Sequence, residues 1–166
     1  MFYQFSESPL GHLMLAEQEA GAGLSLLYIG DSAEALMQDA ESNFPYCHWQ
    51  KSDHLTPYLQ QVCAALEGKT PYPELPLNLG GTAFQQQVWQ ALQTIPYGET
   101  LSYSELADKL GMPSAVRAVA SACGANQVAL IIPCHRVVRK NGDLSGYRWG
   151  IARKRQLLAL EAEKAL

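Results

Sequence analysis

SYSELADKLGMPSAVRAVASACG, residues 102–124, reads as two short helices around a tight turn. Ser102 and Glu105 stand in capping-box spacing, where hydroxyl and carboxylate each satisfy an N–H of the helix start. Gly111 stops the first helix, Met112-Pro113 turns the chain, and Ser114 is expected to cap a second helix that ends at Gly124. Such a pair has the form of a helix-turn-helix. Beyond it come the aliphatic VALII, the stretch IIPCHRVV (residues 131–138) and RKNGDLSGY, whose Asn141-Gly142 is a hairpin signal. Helix, turn, helix and hairpin make a winged arrangement suited to a nucleic-acid groove. A last helix is expected through IARKRQLLALEAEKA, residues 151–165.

Before this core lies TAFQQQVWQALQTI, residues 82–95, with a Thr82/Gln85 box and an apolar stripe through Phe84, Val88, Ala91, Leu92 and Ile95. GKTPYPELPLNLGG (68–81), with three prolines and three glycines, has the composition of a linker, so domains are expected at 1–80 and 81–166. The first reads as a small α+β unit. FYQF, HLMLAE and GLSLLYIG are strand-like; DSAEALMQDAESNF is a helix capped by Asp31 with Glu34, and TPYLQQVCAALEGK another, with Thr56 as cap and Pro57 first in the helix.

With 166 residues, 48% apolar and 17% charged, the chain can bury a sizeable core. Its N-terminus has neither a basic start nor a long apolar run, so neither signal peptide nor membrane span is expected. Four cysteines without a CxxC pair point to free thiols in a reducing cytoplasm. The net charge of −4 conceals an asymmetry. Residues 1–83 carry two lysines against ten acids, a balance of −8; residues 84–166 carry ten basic residues against six acids, a balance of +4. A basic half beside an acidic one points to a polyanion partner.

Cys134 is followed by His135 and preceded by Pro133. Extended backbone would turn neighbouring side chains to opposite faces, so a water is expected to carry a proton from thiol to imidazole. Glu161 shares a helix face with Leu157 and Leu158, and a carboxylate there needs a partner. Holding the imidazole of His135 would supply one, and would make a thiolate-generating relay.

PCHRV, SGY, LLALE and SYSELA…RAVASACGAN together resemble the O6-alkylguanine-DNA alkyltransferases, the methylated-DNA–protein-cysteine methyltransferase family, closely over residues 82–166. The resemblance implies a ribonuclease H-like α/β domain followed by a winged helix-turn-helix domain. It implies a protein that flips an alkylated guanine out of double-stranded DNA and takes the O6 alkyl group onto Cys134, once per molecule and without a cofactor. O4-alkylthymine is a second substrate to consider, and a monomer is expected. By position, His135 is the base, Glu161 its orienting partner, Asn126 the hinge asparagine, and Tyr103 the donor to N3 of the guanine. Arg117 is the finger that fills the gap in the base stack. Ser104, Gln85, Ser114 and Lys140 join Arg117 and Tyr103 as DNA-facing residues; Val137, Tyr147, Arg148 and Trp149 line the alkylguanine pocket.

Two departures stand out. Cys47, His48, His54 and Cys63 match no standard zinc spacing, so no metal is assigned. Trp149 stands where many relatives carry a small residue. Of the basic residues Arg136, Arg139, Lys140, Arg153, Lys154 and Arg155, some are expected to meet phosphate. The residues alone leave three rivals: a cysteine hydrolase, a lesion-binding module without transfer, and a winged-helix regulator.

Overall fold

A computed structural model describes residues 1–164 as an α+β chain in two compact units. The first comprises Met1–Leu79 together with Gln127–Ile131; the second comprises Gly80–Asn126 and the chain from Ile132 onward. Ala165, the expected last helical position, lies outside the described residues. Among the described residues no helix is long and apolar enough to cross a membrane.

In the first unit, β1 (Phe2–Ser8), β2 (Gly11–Glu17) and β3 (Leu24–Gly30) form an antiparallel meander, and β4 (Gln50–Lys51) joins β1 in parallel, giving the order β3-β2-β1-β4. Leu13 through Ala16 and Leu26 through Tyr28 are fully buried, so both faces of β2 and β3 are covered. Helix α1 (Ala33–Asn43) packs on β2 and β3, and α2 (Thr56–Leu66) on β1.

Both helix starts differ from expectation. Ser32, not Asp31, caps α1, because its extended backbone lets the hydroxyl accept from the Ala35 N–H at 3.1 Å. Before α2 a 3-10 turn, Asp53–Leu55, runs straight into the helix, so Thr56 is its first residue and caps nothing.

The glycine- and proline-rich segment is no free linker throughout. Leu24 N donates to Pro76 O at 2.8 Å and Asn78 N to Leu24 O at 2.9 Å. Gly23, at φ +109°, permits this approach: a Cβ there would lie 2.9 Å from the Leu77 carbonyl carbon. Nor is the expected single break at 80/81 complete. Leu27 donates to Gln127 O and accepts from Ala129 N, both at 3.0 Å, so an isolated parallel bridge at Val128 ties the later residues 127–131 to β3.

In the second unit, α3 (Ala83–Leu92) opens with the Thr82/Gln85 box, at 3.1 and 3.0 Å. Its buried face is Val88, Trp89 and Leu92, and the Trp89 indole donates to Ala122 O at 2.9 Å. A two-residue strand, β5 (Leu101–Ser102), leads directly into α4 (Tyr103–Lys109), whose Ser102/Glu105 box closes at 3.0 and 3.1 Å. After Gly111, at φ +71°, comes α5 (Val116–Gly124). Ser114 does not cap it. Ala115 N bonds to Met112 O, which closes the turn one residue later and puts Ala115 in the cap position.

Cys134–Arg136 is a single 3-10 turn, not a strand, and only Val137–Val138 (β6) extends, in parallel with β5. Asn141-Gly142 does close a turn, with Gly142 N on Arg139 O at 2.8 Å. No second strand follows it among the described residues, because Ser145 is drawn inward instead. Finally α6 (Ile151–Lys164) closes the unit.

These caps make separable predictions. Ser102→Ala should lower unfolding stability by about 1 kcal/mol, the usual cost of a lost side-chain cap. Ser114→Ala should stay within about 0.5 kcal/mol, as an exposed residue outside any such feature does. Denaturant titration of both variants measures the difference.

Candidate active site

The 3-10 turn is set by Cys134 N on Ile132 O at 2.8 Å and Arg136 N on Pro133 O at 3.0 Å. In this tight turn Cys134 and His135 do not alternate as on a strand. Asn126, buried at the end of α5, holds the turn from one side. Its amide donates to Ile132 O at 3.1 Å and to Cys134 Sγ at 3.3 Å. Cys134 itself retains 8% exposure.

His135 is fully buried, and its Nε2 lies 2.6 Å from Glu161 Oε2. Glu161 Oε1 accepts from Arg136 Nε, also at 2.6 Å. The Arg136 guanidinium donates further to Ile95 O at 2.7 Å and covers the Tyr97 ring, 5.5 Å from its centroid. Burial alone would raise the Glu161 pKa, but hydrogen bonds and charge from His135 and Arg136 outweigh it and bring it to about 2. At that value the carboxylate is ionised near neutral pH and acceptor-only. Burial pushes the His135 imidazole down against the pull of Glu161, so the ring is neutral near pH 7. A neutral ring that donates from Nε2 keeps its lone pair on Nδ1, which has no protein partner among the described residues. That atom is open to accept a proton.

Burial pushes the Cys134 thiol up, against the opposing effects of the Asn126 bond and the Lys154 charge, so the resting form is the thiol. Cys123, pushed up to about 12 by burial and then by the neighbouring Cys134, stays protonated.

A second polar group sits beside the first. Lys154 is fully buried and donates from Nζ to Val137 O at 2.6 Å and to Ser145 Oγ at 3.0 Å. Ser145 Oγ lies 2.5 Å from the Tyr103 hydroxyl. The β5–β6 pairing fixes this meeting, since Ser102 and Val138 are in register just before Tyr103 and just after Val137.

The structure thus brings together Cys134, His135, Glu161, Asn126 and, through Ser145 and Lys154, Tyr103. Val137 is buried and lends its carbonyl to Lys154. Tyr147 meets His135 edge-on at 6.4 Å and Trp149 at 5.3 Å; Arg148 lies over the Trp149 ring at 5.6 Å. Arg117, Ser114 and Lys140 are exposed, Ser104 and Gln85 half-buried, and the Gln85 side chain is engaged in its capping box. None of these five joins the hydrogen bonds around Cys134 among the described residues.

Two of the expected phosphate-facing residues are not at the surface. Arg136 and Lys154 are buried, spent on Glu161 and on Val137 with Ser145. For Lys154 a signal existed: 154, 157 and 161 fall on one helix stripe, which makes the lysine as much an intruder as the glutamate. For Arg136 there was none. Among the described residues no group of three or more His, Cys, Asp or Glu could hold a metal ion.

The family described as 6-O-methylguanine DNA methyltransferase, DNA binding domain, matches residues 83–163. The regulatory protein ada of Salmonella typhimurium is 50% identical over 98% of this chain, which spans 46% of that relative. With the bifunctional transcriptional activator/DNA repair enzyme Ada of Escherichia coli the identity is 49%, over 97% of this chain and 45% of that one. The chain therefore spans about half the length of these two curated relatives. Against the methylated-DNA–protein-cysteine methyltransferase of Mycobacterium tuberculosis the identity is 43%, covering 98% and 93% of the two chains. The crystal structure of Mycobacterium tuberculosis OGT in complex with DNA aligns with a TM-score of 0.84 at 41% identity, over 99% of this chain and 94% of that one.

The buried carboxylate predicts an acid-sensitive site. Both the Glu161 and His135 pKa values are depressed on folding, so the unfolded chain binds more protons and stability rises with pH. That contribution should be complete above about pH 6.5 and drain away toward about pH 2. Glu161→Gln should cost about 3–5 kcal/mol at neutral pH, by stranding Arg136, and should flatten the acid limb. Adding Arg136→Met should restore part of the loss; denaturant titrations from pH 3 to 8 check all three.

Proposed function

The chain belongs to the methylated-DNA–protein-cysteine methyltransferase family, and we propose that it repairs double-stranded DNA by taking the alkyl group from O6-alkylguanine onto its own Cys134. The observation that carries the reading is a buried thiol beside an imidazole whose one free lone pair is guaranteed by an ionised carboxylate. His135 Nδ1 takes the thiol proton, directly or through water, and the sulfur displaces the alkyl carbon from O6. Asn126, donating to sulfur, helps hold the thiolate. Tyr103 gives the leaving purine its proton. The thioether product has no carbonyl for water to attack, so each molecule reacts once and needs no cofactor or metal.

In this reading α4 and α5 are a helix-turn-helix, with Arg117 on α5 entering the gap of a flipped base and the Asn141-Gly142 turn as a reduced wing. Ser104, Gln85, Ser114 and Lys140 meet the backbone. Residues 1–80 form a ribonuclease H-like domain, supported by a three-strand meander with a fourth strand parallel to β1. Residues from 81 carry the transfer chemistry. The protein works as a cytoplasmic monomer, with O4-alkylthymine as a second lesion. Val137, Tyr147, Arg148 and Trp149 form the wall behind the alkyl group.

The decisive measurement is intact mass after incubation with an O6-methylguanine duplex. A gain of one methyl, about 14 Da, on Cys134 and none on Cys134→Ala is expected. The variant should still bind DNA, since phosphate contacts dominate affinity. Turnover beyond one methyl per protein overturns the proposal. Arg117→Ala should impair capture of the paired lesion more than reaction with the free modified base, because only a duplex leaves a gap to fill.

Trp149 predicts a narrow substrate range. Its indole is 5% exposed, edge-on to Tyr147, and Gly150 follows at φ +104°. A packed wall yields little to a benzyl group, whereas a methyl group still fits. Trp149→Gly should therefore raise the rate of inactivation by O6-benzylguanine at least about tenfold, the scale of a changed apolar pocket, with little effect on methyl transfer.

A further inference from the structure

Among the described residues Leu130 is the one non-glycine at positive φ, +71°, and it stands four positions before Cys134. Side chains rarely adopt that region, so such a residue persists only where its surroundings hold it. We propose that Leu130 is a positioning residue: its strained turn, held against β3, brings Ile132 and the Cys134 sulfur back to the Asn126 amide.

The path of the chain requires a reversal here. Leu27 holds Gln127 O and Ala129 N at 3.0 Å each, which keeps residues 127–129 beside β3. The Gln127 side chain is held too: Asn43 donates to the Tyr28 hydroxyl at 3.2 Å, and that hydroxyl donates to Gln127 Oε1. At about 3.3 Å per residue, an extended run from Asn126 would carry Ile132 about 20 Å away. Instead the Asn126 amide meets Ile132 O at 3.1 Å and Cys134 Sγ at 3.3 Å. Two three-residue turns close that distance. Ile131 N bonds back to Ala129 O at 2.8 Å around Leu130, a γ-turn of the strained, positive-φ kind. Cys134 N bonds back to Ile132 O at 2.8 Å around Pro133, whose φ of −82° and ψ of 60° make the relaxed, inverse form.

Proline supplies the second turn unaided, because its ring fixes φ close to this value. The first has no such help. A glycine would take φ +71° without steric cost, yet a leucine stands there, 2% exposed. Its turn is sustained by the β3 bonds on residues 127–129 and by the Asn126 bonds beyond it. If the turn relaxed to negative φ, Ile132 would leave the amide and the sulfur would lose its donor. That donor matters to the thiol. Burial pushes the Cys134 pKa up, and the Asn126 bond leads the groups that oppose it, ahead of the Lys154 and Arg148 charges.

The test separates backbone from side chain. Leu130→Ala and Leu130→Gly lose nearly the same apolar surface, but only glycine accepts φ +71° freely. Alkylation of Cys134 by iodoacetamide, followed by peptide mass from pH 6 to 11, reads the donor, since a thiolate without its hydrogen bond forms at higher pH. Asn126→Ala should move the rising limb up by about one unit, the scale of a hydrogen bond to a charged group. Leu130→Ala should follow it, and Leu130→Gly should keep the wild-type limb. In single-turnover methylation by an O6-methylguanine duplex, Leu130→Ala should lower the saturated rate about 100-fold, as a misplacement of ~1 Å does. Its half-saturating duplex concentration should not change, because phosphate contacts dominate binding. Leu130→Gly should stay within a few-fold of the wild-type rate.

If alanine and glycine move the limb alike, or neither moves it, Leu130 only fills space and the proposal is overturned. Should Leu130→Ala lose its cooperative unfolding transition, Leu130→Gly decides alone, because an anchoring side chain is lost in it as well. A wild-type limb then supports the proposal; a shifted limb or an unfolded chain overturns it. The inference rests on the transfer reading for the methylation measurement, whereas the iodoacetamide limb is independent of it. Wild type that reacts with iodoacetamide but takes no methyl from the duplex overturns the transfer reading, and the limb still judges Leu130.

Discussion

The Glu161 carboxylate, shared between His135 and Arg136 at 2.6 Å each, is the interaction on which the second unit depends. A buried carboxylate with one partner would be a liability; with two, each oxygen is satisfied and the charge is neutralised by the Arg136 guanidinium. That arrangement does three things together. It ties α6 to the 3-10 turn at Cys134, it carries the guanidinium to Ile95 at the end of α3, and it makes the imidazole donate from Nε2. Basicity at Nδ1 is therefore a consequence of how α6 is anchored. Chemistry and packing share one bond.

His135 and Arg136 together bring the Glu161 pKa to about 2, which leaves the carboxylate too weak a base to take an imidazole proton. A proton arriving at His135 stays there as imidazolium, stabilised in place by the adjacent negative charge. Burial keeps the sulfur a thiol at rest, a form less open to adventitious electrophiles than the thiolate.

The interior of this unit is unusually polar: Asn126, His135, Arg136, Ser145, Lys154 and Glu161 are all buried. They fall into two groups on either side of the turn, one anionic at its centre and one cationic. The parallel pair β5–β6 keeps them in register, because the strand that leaves the cysteine turn lies against the strand that launches Tyr103. Lys154 and Glu161, two turns apart on α6, then reach one group each. Partly satisfied, such a network would destabilise the core; here, of these six residues' buried side-chain atoms, His135 Nδ1 alone lacks a partner among the described residues, and the bonds hold the side chains in place.

Local chemistry was legible in the residues. The Thr82/Gln85 and Ser102/Glu105 boxes, the turn at Gly111, the meander strands and the pairing of His135 with Glu161 all follow from short-range patterns or from one misplaced carboxylate on an apolar stripe. The caps expected at Asp31, Thr56 and Ser114 do not form because the chain enters each helix one residue away, through the extended Ser32 at α1 and through turns whose backbone bonds have no sequence signature at α2 and α5. Tertiary structure alone decided the rest. Residues 127–131 were assigned by an edge of β3 about a hundred positions earlier, and the 3-10 turn at Cys134 by the Asn126 amide. Arg136, indistinguishable in sequence from a surface charge, and Lys154, marked only by its place on an apolar stripe, became interior because acceptors from distant segments converge on them. A charge's identity is written in its residue; its partner is set by the fold.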